Sequence, residues 1–132
     1  TGMSTWEEID AAVEALRPAG LLHCHSAYPS PLDELNLTLL PALRDRYGRP
    51  VGYSSHTVSP WPALMAAVLG AEIVEAHLTL DRTLFGTDQA ASLEPHAFGK
   101  LIEEIRTWEV VRGTPDKRVQ PSEVAIKEKL RR

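Results

Sequence analysis

Residues 71–80 read AEIVEAHLTL, and this stretch decides which fold class the sequence favours. It predicts the longest strand of the chain, with Glu75 and His77 inside an otherwise apolar run. Alternation along a strand assigns Ile73, Glu75, His77 and Thr79 to one face and the even-numbered apolar positions of 74–80 to the other. The apolar face is expected to pack on helices, so the mixed face should line a barrel lumen or a cleft. Because an uncompensated glutamate is costly to bury, a ligand, an ion or a partner side chain is expected there.

Working outward from this strand, the sequence predicts a helix followed by three strand–helix units. Two shorter apolar runs predict strands, LLHCH at 21–25 and PVGYS at 50–54. Helical spacing of apolar residues predicts helices at 4–18, 36–48, 60–70, 96–111 and 121–132. Short connections and apolar strands are typical of a parallel sheet covered by helices, so we expect an α/β domain of about three parallel strands over residues 1–132.

Composition narrows the class of protein. With 43% hydrophobic and 24% charged residues the chain has the balance of a globular domain. The net charge of −4 is spread along the chain without a basic stripe, so we expect no nucleic-acid partner. Cys24 is the only cysteine, which predicts a packing role and no internal disulfide. No apolar run approaches the ~20 residues of a membrane span, so we expect a soluble, cytoplasmic protein with no membrane partner.

Polar side chains follow all three predicted strands, where loops at the carboxyl ends of a parallel sheet gather binding groups. The second strand is followed by His56, and the third carries His77. Imidazoles at neighbouring strand ends can converge on one divalent metal, although a lone histidine is usually a structural hydrogen-bonding group.

Other polar residues leave alternatives open. His23 and His25 flank Cys24 and could form a metal pair, but we favour a core hydrogen bond for one and packing on a helix for the other. Asp88 lies beside Gly86 and is either a turn residue or a functional carboxylate. Tyr28 either caps the mouth of the site or contacts substrate.

The tryptophans Trp6, Trp61 and Trp108 lie on predicted helices and are interpreted as packing groups.

Four motifs, TGMST, LLHCHSAYPSP, VGYSSHT and EAHLTLDRTLFGTDQAASLEP, occur in an order and spacing that together resemble the sialic acid synthase family. The resemblance implies condensation of phosphoenolpyruvate with an N-acyl amino sugar such as N-acetylmannosamine, giving a nonulosonic acid and phosphate. It also implies a divalent cation, Mn²⁺ or Mg²⁺. The alternatives are a non-catalytic binding or assembly module that keeps the fold, and a metal-dependent hydrolase of another barrel family using the HCH histidines.

The resemblance implies the second half of a (β/α)₈ TIM barrel, with residues 1–132 running from the end of strand five through helix eight. The first half and the antifreeze-like C-terminal domain are then expected to be absent. On this interpretation the chain belongs to a carbon–carbon bond-forming transferase that is active only at full length. A homo-oligomer, or pairing with the missing half, is expected to complete the barrel.

The resemblance also implies roles for individual side chains, carried over by position in the motifs. His56 and His77 resemble the metal ligands, Ser54 a phosphate contact, Ser26 a polar residue near phosphoenolpyruvate, and Tyr28, Glu75 and Asp88 sugar contacts, with Glu75 and Asp88 as the catalytic carboxylates. The chain departs from the family pattern where Ser55 replaces an aspartate, Ala76 replaces a lysine, and Phe85 replaces a proline. These departures bear on sugar specificity.

Overall fold

The computed structural model describes residues 1–131. Five α-helices are present in this part of the chain, α1 (Trp6–Leu16), α2 (Leu39–Tyr47), α3 (Trp61–Val68), α4 (Pro95–Val111) and α5 (Val124–Leu130). Three strands alternate with the first four helices, β1 (Leu21–Cys24), β2 (Val51–Ser55) and β3 (Val74–Ala76). Short 3₁₀ helices cover Leu32–Glu34, Gln89–Ala91 and Pro121–Glu123. The helix–strand order agrees with the one predicted from the sequence.

The three strands form one parallel sheet in the order β1-β2-β3. In its register Cys24 pairs with Ser54, and Ser54 pairs with Glu75, so one row crosses all three strands. Paired residues of a parallel sheet point to the same face. The expected α/β architecture of three parallel strands with flanking helices is therefore confirmed.

Local sequence explains where the helices begin and end. The hydroxyl of Thr5 accepts a hydrogen bond from the Glu8 amide at 3.4 Å, and the Glu8 carboxylate accepts one from the Thr5 amide at 2.7 Å. This capping box starts α1. Pro41 lies in the first turn of α2, where its missing N–H costs no helical hydrogen bond. Gly48 ends α2 with φ 58°, a left-handed conformation that glycine adopts without steric penalty.

The two faces of the sheet differ. Val51 and Tyr53 of β2 point toward the helices and are fully buried against Leu40, Leu43, Ala63, Ala66, Leu93 and Leu101. The opposite face carries the row of Cys24, Ser54 and Glu75. A half-exposed Ile73 lies on this face, which no helix among residues 1–131 covers. We call it the lumen face, because it would line the interior of a closed barrel.

The predicted strand at 71–80 is too long. Pairing with β2 covers only Val74–Ala76, and the backbone then pairs with the Leu93 segment, where Leu93 N donates to His77 O at 2.8 Å. Leu78 and Leu80 are 58% and 83% exposed, so the apolar face expected over 74–80 is not buried past Ala76. The physical reason is that β2 ends at Ser55 and offers no further ladder partners.

One tryptophan also departs from its predicted packing role. Trp61 is 60% exposed on α3, whereas Trp6 and Trp108 are half-buried. Trp6 packs near Tyr47, and the Arg46 guanidinium lies 4.9 Å from its ring centroid. Among residues 1–131 no helix is both long enough and apolar enough to cross a bilayer.

Candidate functional site

Two histidines and a tyrosine meet at the carboxyl ends of the strands. His56 directly follows β2, His77 directly follows β3, and Tyr28 lies in the loop after β1. The imidazole centroids of His56 and His77 are 5.0 Å apart with the rings at 81°. The Tyr28 ring lies 4.2 Å from His56 and 5.8 Å from His77, centroid to centroid. The parallel sheet thus joins residues that are far apart in sequence.

The hydrogen bonds of His56 determine its tautomer. Nδ1 lies 2.9 Å from the backbone carbonyl of His25, and a carbonyl oxygen can only accept, so Nδ1 carries the proton. In the neutral ring the lone pair is then on Nε2, which lies 3.1 Å from the hydroxyl of Tyr28. The phenol therefore donates to Nε2. A carbonyl on the far nitrogen is the usual device that orients a metal-binding imidazole.

Asp88 joins the site from the loop that follows β3. Its Oδ2 lies 3.6 Å from Nδ1 of His77, with both side chains partly exposed. Its backbone carbonyl also accepts from Ser92 Oγ at 2.8 Å and from the Ala91 amide at 3.0 Å, which starts a short 3₁₀ helix. Asp88 is therefore both a turn residue and a carboxylate beside His77.

Glu75 has a partner on the neighbouring strand. Ser54 Oγ donates to Glu75 Oε1 at 2.7 Å, within the register pair that links β2 and β3. The Glu75 side chain is exposed, so its carboxylate also contacts water and does not carry the burial cost that the sequence led us to expect. The partner expected beside Glu75 is thus, within this chain, a serine.

Ser26 lies in the loop that follows β1, against the N-terminal segment. Its Oγ is 3.6 Å from Cys24 Sγ, and a Cβ added at Gly2 would come within 2.2 Å of it. Gly2 therefore leaves the space that the Ser26 hydroxyl occupies.

Cys24 also lies at the site, which its predicted packing role did not indicate. Its Sγ is 3.7 Å from Nδ1 of His56. The sheet register aligns Cys24 with Ser54 and Glu75, and no signal in the sequence alone indicated this alignment.

The phenol of Tyr28 remains a proton donor. Its pKa is raised above the ordinary value of 10.0, first by desolvation and then by Coulombic interactions with the nearby Cys24, Asp88 and Glu75. At neutral pH the hydroxyl therefore keeps the proton that it donates to His56.

The HCH histidines do not converge on one site. Nε2 of His23 donates to the Leu35 carbonyl at 2.7 Å in the core, and burial lowers the pKa of this imidazole. His25 instead pairs with Glu34, Nε2 to Oε2, at 3.0 Å. The predicted core hydrogen bond for one of the two histidines is therefore present. Within residues 1–131 no cluster of three or more His, Cys, Asp or Glu side chains could hold a metal ion.

The two imidazoles of His56 and His77 are donors of a kind that could bind a divalent cation. The carbonyl of His25 fixes the His56 tautomer so that Nε2 has the lone pair a metal needs. The His77 ring lies 5.0 Å away, centroid to centroid. Imidazole is a common ligand of first-row divalent metals.

The chain is similar to a group of synthases. A sequence profile described as the NeuB family matches residues 1–117. The N,N'-diacetyllegionaminic acid synthase of Legionella pneumophila is 34% identical over 141 residues, which cover 100% of this chain and 40% of that protein. The N-acetylneuraminate-9-phosphate synthase of Homo sapiens is 36% identical over 130 residues, which cover 97% of this chain and 36% of that protein.

Solved structures agree with these sequence relatives. The crystal structure of N-acetylneuraminic acid (sialic acid) synthetase from Leptospira borgpetersenii matches with a TM-score of 0.83 at 36% identity. The match covers 99% of this chain and 48% of that one. The chain thus spans less than half of the length of the relatives named here.

Proposed function

The chain belongs to the NeuB family, and from that premise we propose that it forms part of the active site of a sialic acid synthase-like enzyme. This enzyme condenses phosphoenolpyruvate with an N-acyl amino sugar, such as N-acetylmannosamine, to a nonulosonic acid and phosphate. One observation supports the proposal most: His56, His77, Tyr28 and Asp88 lie together at the carboxyl ends of the parallel strands. Active sites of parallel barrels form at that end.

His56 and His77 would hold the cation, Mn²⁺ or Mg²⁺. When bound, such a cation supplies Lewis acidity that polarises the aldehyde oxygen of the sugar. Substrate binding and proton transfer are assigned to side chains of this chain and to groups of the rest of the barrel.

The lumen-face row is assigned to the two substrates. Ser26, in the loop after β1, is proposed to donate a hydrogen bond to phosphoenolpyruvate. Ser54 has a single proton, so it is proposed to donate to phosphoenolpyruvate by transferring its hydrogen bond from Glu75, whose carboxylate then accepts from sugar hydroxyls. The hydrogen bond between Ser54 and Glu75, 2.7 Å long, joins the two substrate positions. Glu75 and Asp88 are the proposed catalytic carboxylates, since water must add and phosphate must leave with proton transfer. Tyr28 is proposed as a further sugar contact.

Two departures from the family pattern leave this row intact. Ser55 is buried on the helix-facing side, where its hydroxyl lies 3.1 Å from that of Thr57. Ala76 packs against the same core cluster. Because neither side chain is on the lumen face, the observations favour an enzyme site over a module that has lost its chemistry.

Manganese binding by isothermal titration tests the proposal, with and without phosphoenolpyruvate. The chain is expected to bind Mn²⁺, more tightly when phosphoenolpyruvate is present. A variant with His56→Ala and His77→Ala should lose binding, whereas His96→Ala, an exposed residue at the start of α4, should retain it. Equal binding by the parent and the double variant would contradict the assigned site.

The separate chain is proposed to be inactive and to assemble with a further copy or with the rest of a barrel. Phosphate release from phosphoenolpyruvate and N-acetylmannosamine measures this directly. Turnover by the chain alone would contradict the proposed inactivity.

A further inference from the structure

Both nitrogens of His56 already have hydrogen-bond partners within the chain. Nδ1 donates to the carbonyl of His25 at 2.9 Å, and Nε2 accepts from the hydroxyl of Tyr28 at 3.1 Å. The Nδ1 partner is a backbone oxygen beside β1, whereas the Nε2 partner is the tip of a side chain that is 45% exposed. A cation that binds His56 can use only Nε2, so it must displace the phenol.

We propose that Tyr28 is a positioning residue. Its hydroxyl donates to the Nε2 lone pair of His56 and keeps the ring oriented for metal binding until a cation displaces the phenol. This inference rests on the proposed function, because it assumes that His56 binds the cation. In the metal-free chain the phenol donates to Nε2 and orients the imidazole. Once the cation is bound, the released hydroxyl is free to donate to the second substrate.

The position of Tyr28 suits this exchange. Its ring lies 4.2 Å from His56 and 5.8 Å from His77, so one movement of the tyrosine uncovers both imidazoles. Its hydroxyl has His56 as its hydrogen-bond partner among residues 1–131. The loss of that bond is therefore the whole hydrogen-bonding cost of release. Cation binding and sugar binding are coupled in this scheme, with the cation first.

Removing the hydroxyl should tighten cation binding. A net hydrogen bond contributes about 0.5–1.5 kcal/mol, so Tyr28→Phe should bind Mn²⁺ about two- to tenfold more tightly than the parent chain in isothermal titration at pH 8. Tyr47→Phe is the matched control, because it removes a hydroxyl that donates to Asp10 at 2.7 Å between α1 and α2. That variant should bind Mn²⁺ like the parent.

The outcomes separate this inference from the proposed function. Binding by Tyr28→Phe that is equal to or weaker than that of the parent overturns the role of Tyr28 and leaves the two-histidine site standing. Binding by the variant but not by the parent supports the inference most strongly. Absence of binding in both, in chains folded by circular dichroism, overturns both proposals.

A second measurement observes the tyrosine itself. With 3-fluorotyrosine at its three tyrosines, the chain gives ¹⁹F resonances that Tyr28→Phe and Tyr47→Phe assign. Titration with diamagnetic Mg²⁺ should shift the Tyr28 resonance and leave that of Tyr47 in place. In His56→Ala the Tyr28 resonance should no longer respond. A Tyr28 resonance that Mg²⁺ does not move, at concentrations that saturate the titration, overturns the displacement.

Discussion

Glu75 shows how one side chain can interrupt an apolar strand without being left unpaired. It lies opposite Ser54 in the register of β2 and β3, and the serine hydroxyl donates to its carboxylate at 2.7 Å. Ser54 is 6% exposed, so its hydroxyl has little access to water and depends on the Glu75 carboxylate as an acceptor. The carboxylate is exposed and can also accept hydrogen bonds from water.

A double-mutant cycle measures the interaction between these residues. Ser54→Ala should destabilise the chain by up to about 1 kcal/mol, because it removes a charge-assisted hydrogen bond that water replaces in part at the exposed carboxylate. After Glu75→Gln the same serine substitution should cost less. Urea unfolding of the four proteins gives the coupling free energy, expected near 0.5–1 kcal/mol. A coupling of zero would mean that the two side chains do not interact in solution.

His23 should make stability depend on pH. Burial lowers its pKa from the ordinary value of 6.5, so the unfolded chain binds the proton more readily than the folded chain. The free energy of unfolding should therefore be highest above about pH 6.5 and fall as the pH decreases toward the lowered folded-state pKa.

Urea midpoints between pH 5 and pH 7.5 test this dependence. His23→Gln keeps an N–H donor for the Leu35 carbonyl and should flatten the profile. His96→Gln, on the exposed surface of α4, should retain the slope of the parent. If His23→Gln and the parent lose stability in parallel, the slope comes from other groups.

At the scale of elements, close strand packing depends on the glycine of β2. A Cβ at Gly52 would come within 2.5 Å of both the Ile73 carbonyl oxygen and Leu22 Cδ2. These atoms belong to neighbouring chain segments on each side of β2, so the lumen face has no room for a side chain at this position. The glycine therefore sets how closely the strands approach near the start of β2, two residues before Ser54.

Two glycine-to-alanine substitutions should have opposite effects. Gly52→Ala should destabilise the chain by about 1–3 kcal/mol, because backbone and packed side chains must shift. Gly99→Ala should stabilise it by up to about 1 kcal/mol, since this α4 position has open space and alanine favours helix. Thermal unfolding followed by circular dichroism gives both values. A tolerated Gly52→Ala would show that the strands can separate without cost.

At the scale of the whole molecule, the three-stranded sheet leaves polar and apolar groups uncovered. β1 and β3 are its outer strands, and no further strand pairs with either among residues 1–131. In the described part of the chain the lumen face also lacks a covering layer, which leaves Ile73 50% exposed. Unpaired edges and exposed apolar side chains favour association.

Self-association should follow from these surfaces. Sedimentation velocity at micromolar concentration should show species larger than the monomer. Ile73→Lys, which adds a charge to the lumen face, should shift the distribution toward monomer. Val110→Lys, at an 80% exposed position of α4, should leave it unchanged. A well-folded monomer of the parent chain at these concentrations would contradict the expectation.

The sequence was most informative where a local pattern has a local cause. The helical spacing of apolar residues and the apolar runs of β1 and β2 predicted elements that the structure contains. The strand predicted at 71–80 is longer than the observed β3, because the alternation of side chains along one segment does not indicate where the neighbouring strand ends. His56 and His77 could be paired in advance from strand order alone, whereas Cys24 and the carbonyl of His25 could not.

The sequence by itself determined the α/β order, the parallel sheet and the residue types at the strand ends, because hydrophobic periodicity acts over a few residues. Only the tertiary structure decided that Tyr28 contacts His56, that Asp88 reaches His77 and that Ser54 donates to Glu75. These contacts join residues at least 11 positions apart in the sequence. Strand register and loop path set such distances, and both depend on packing across the whole sheet.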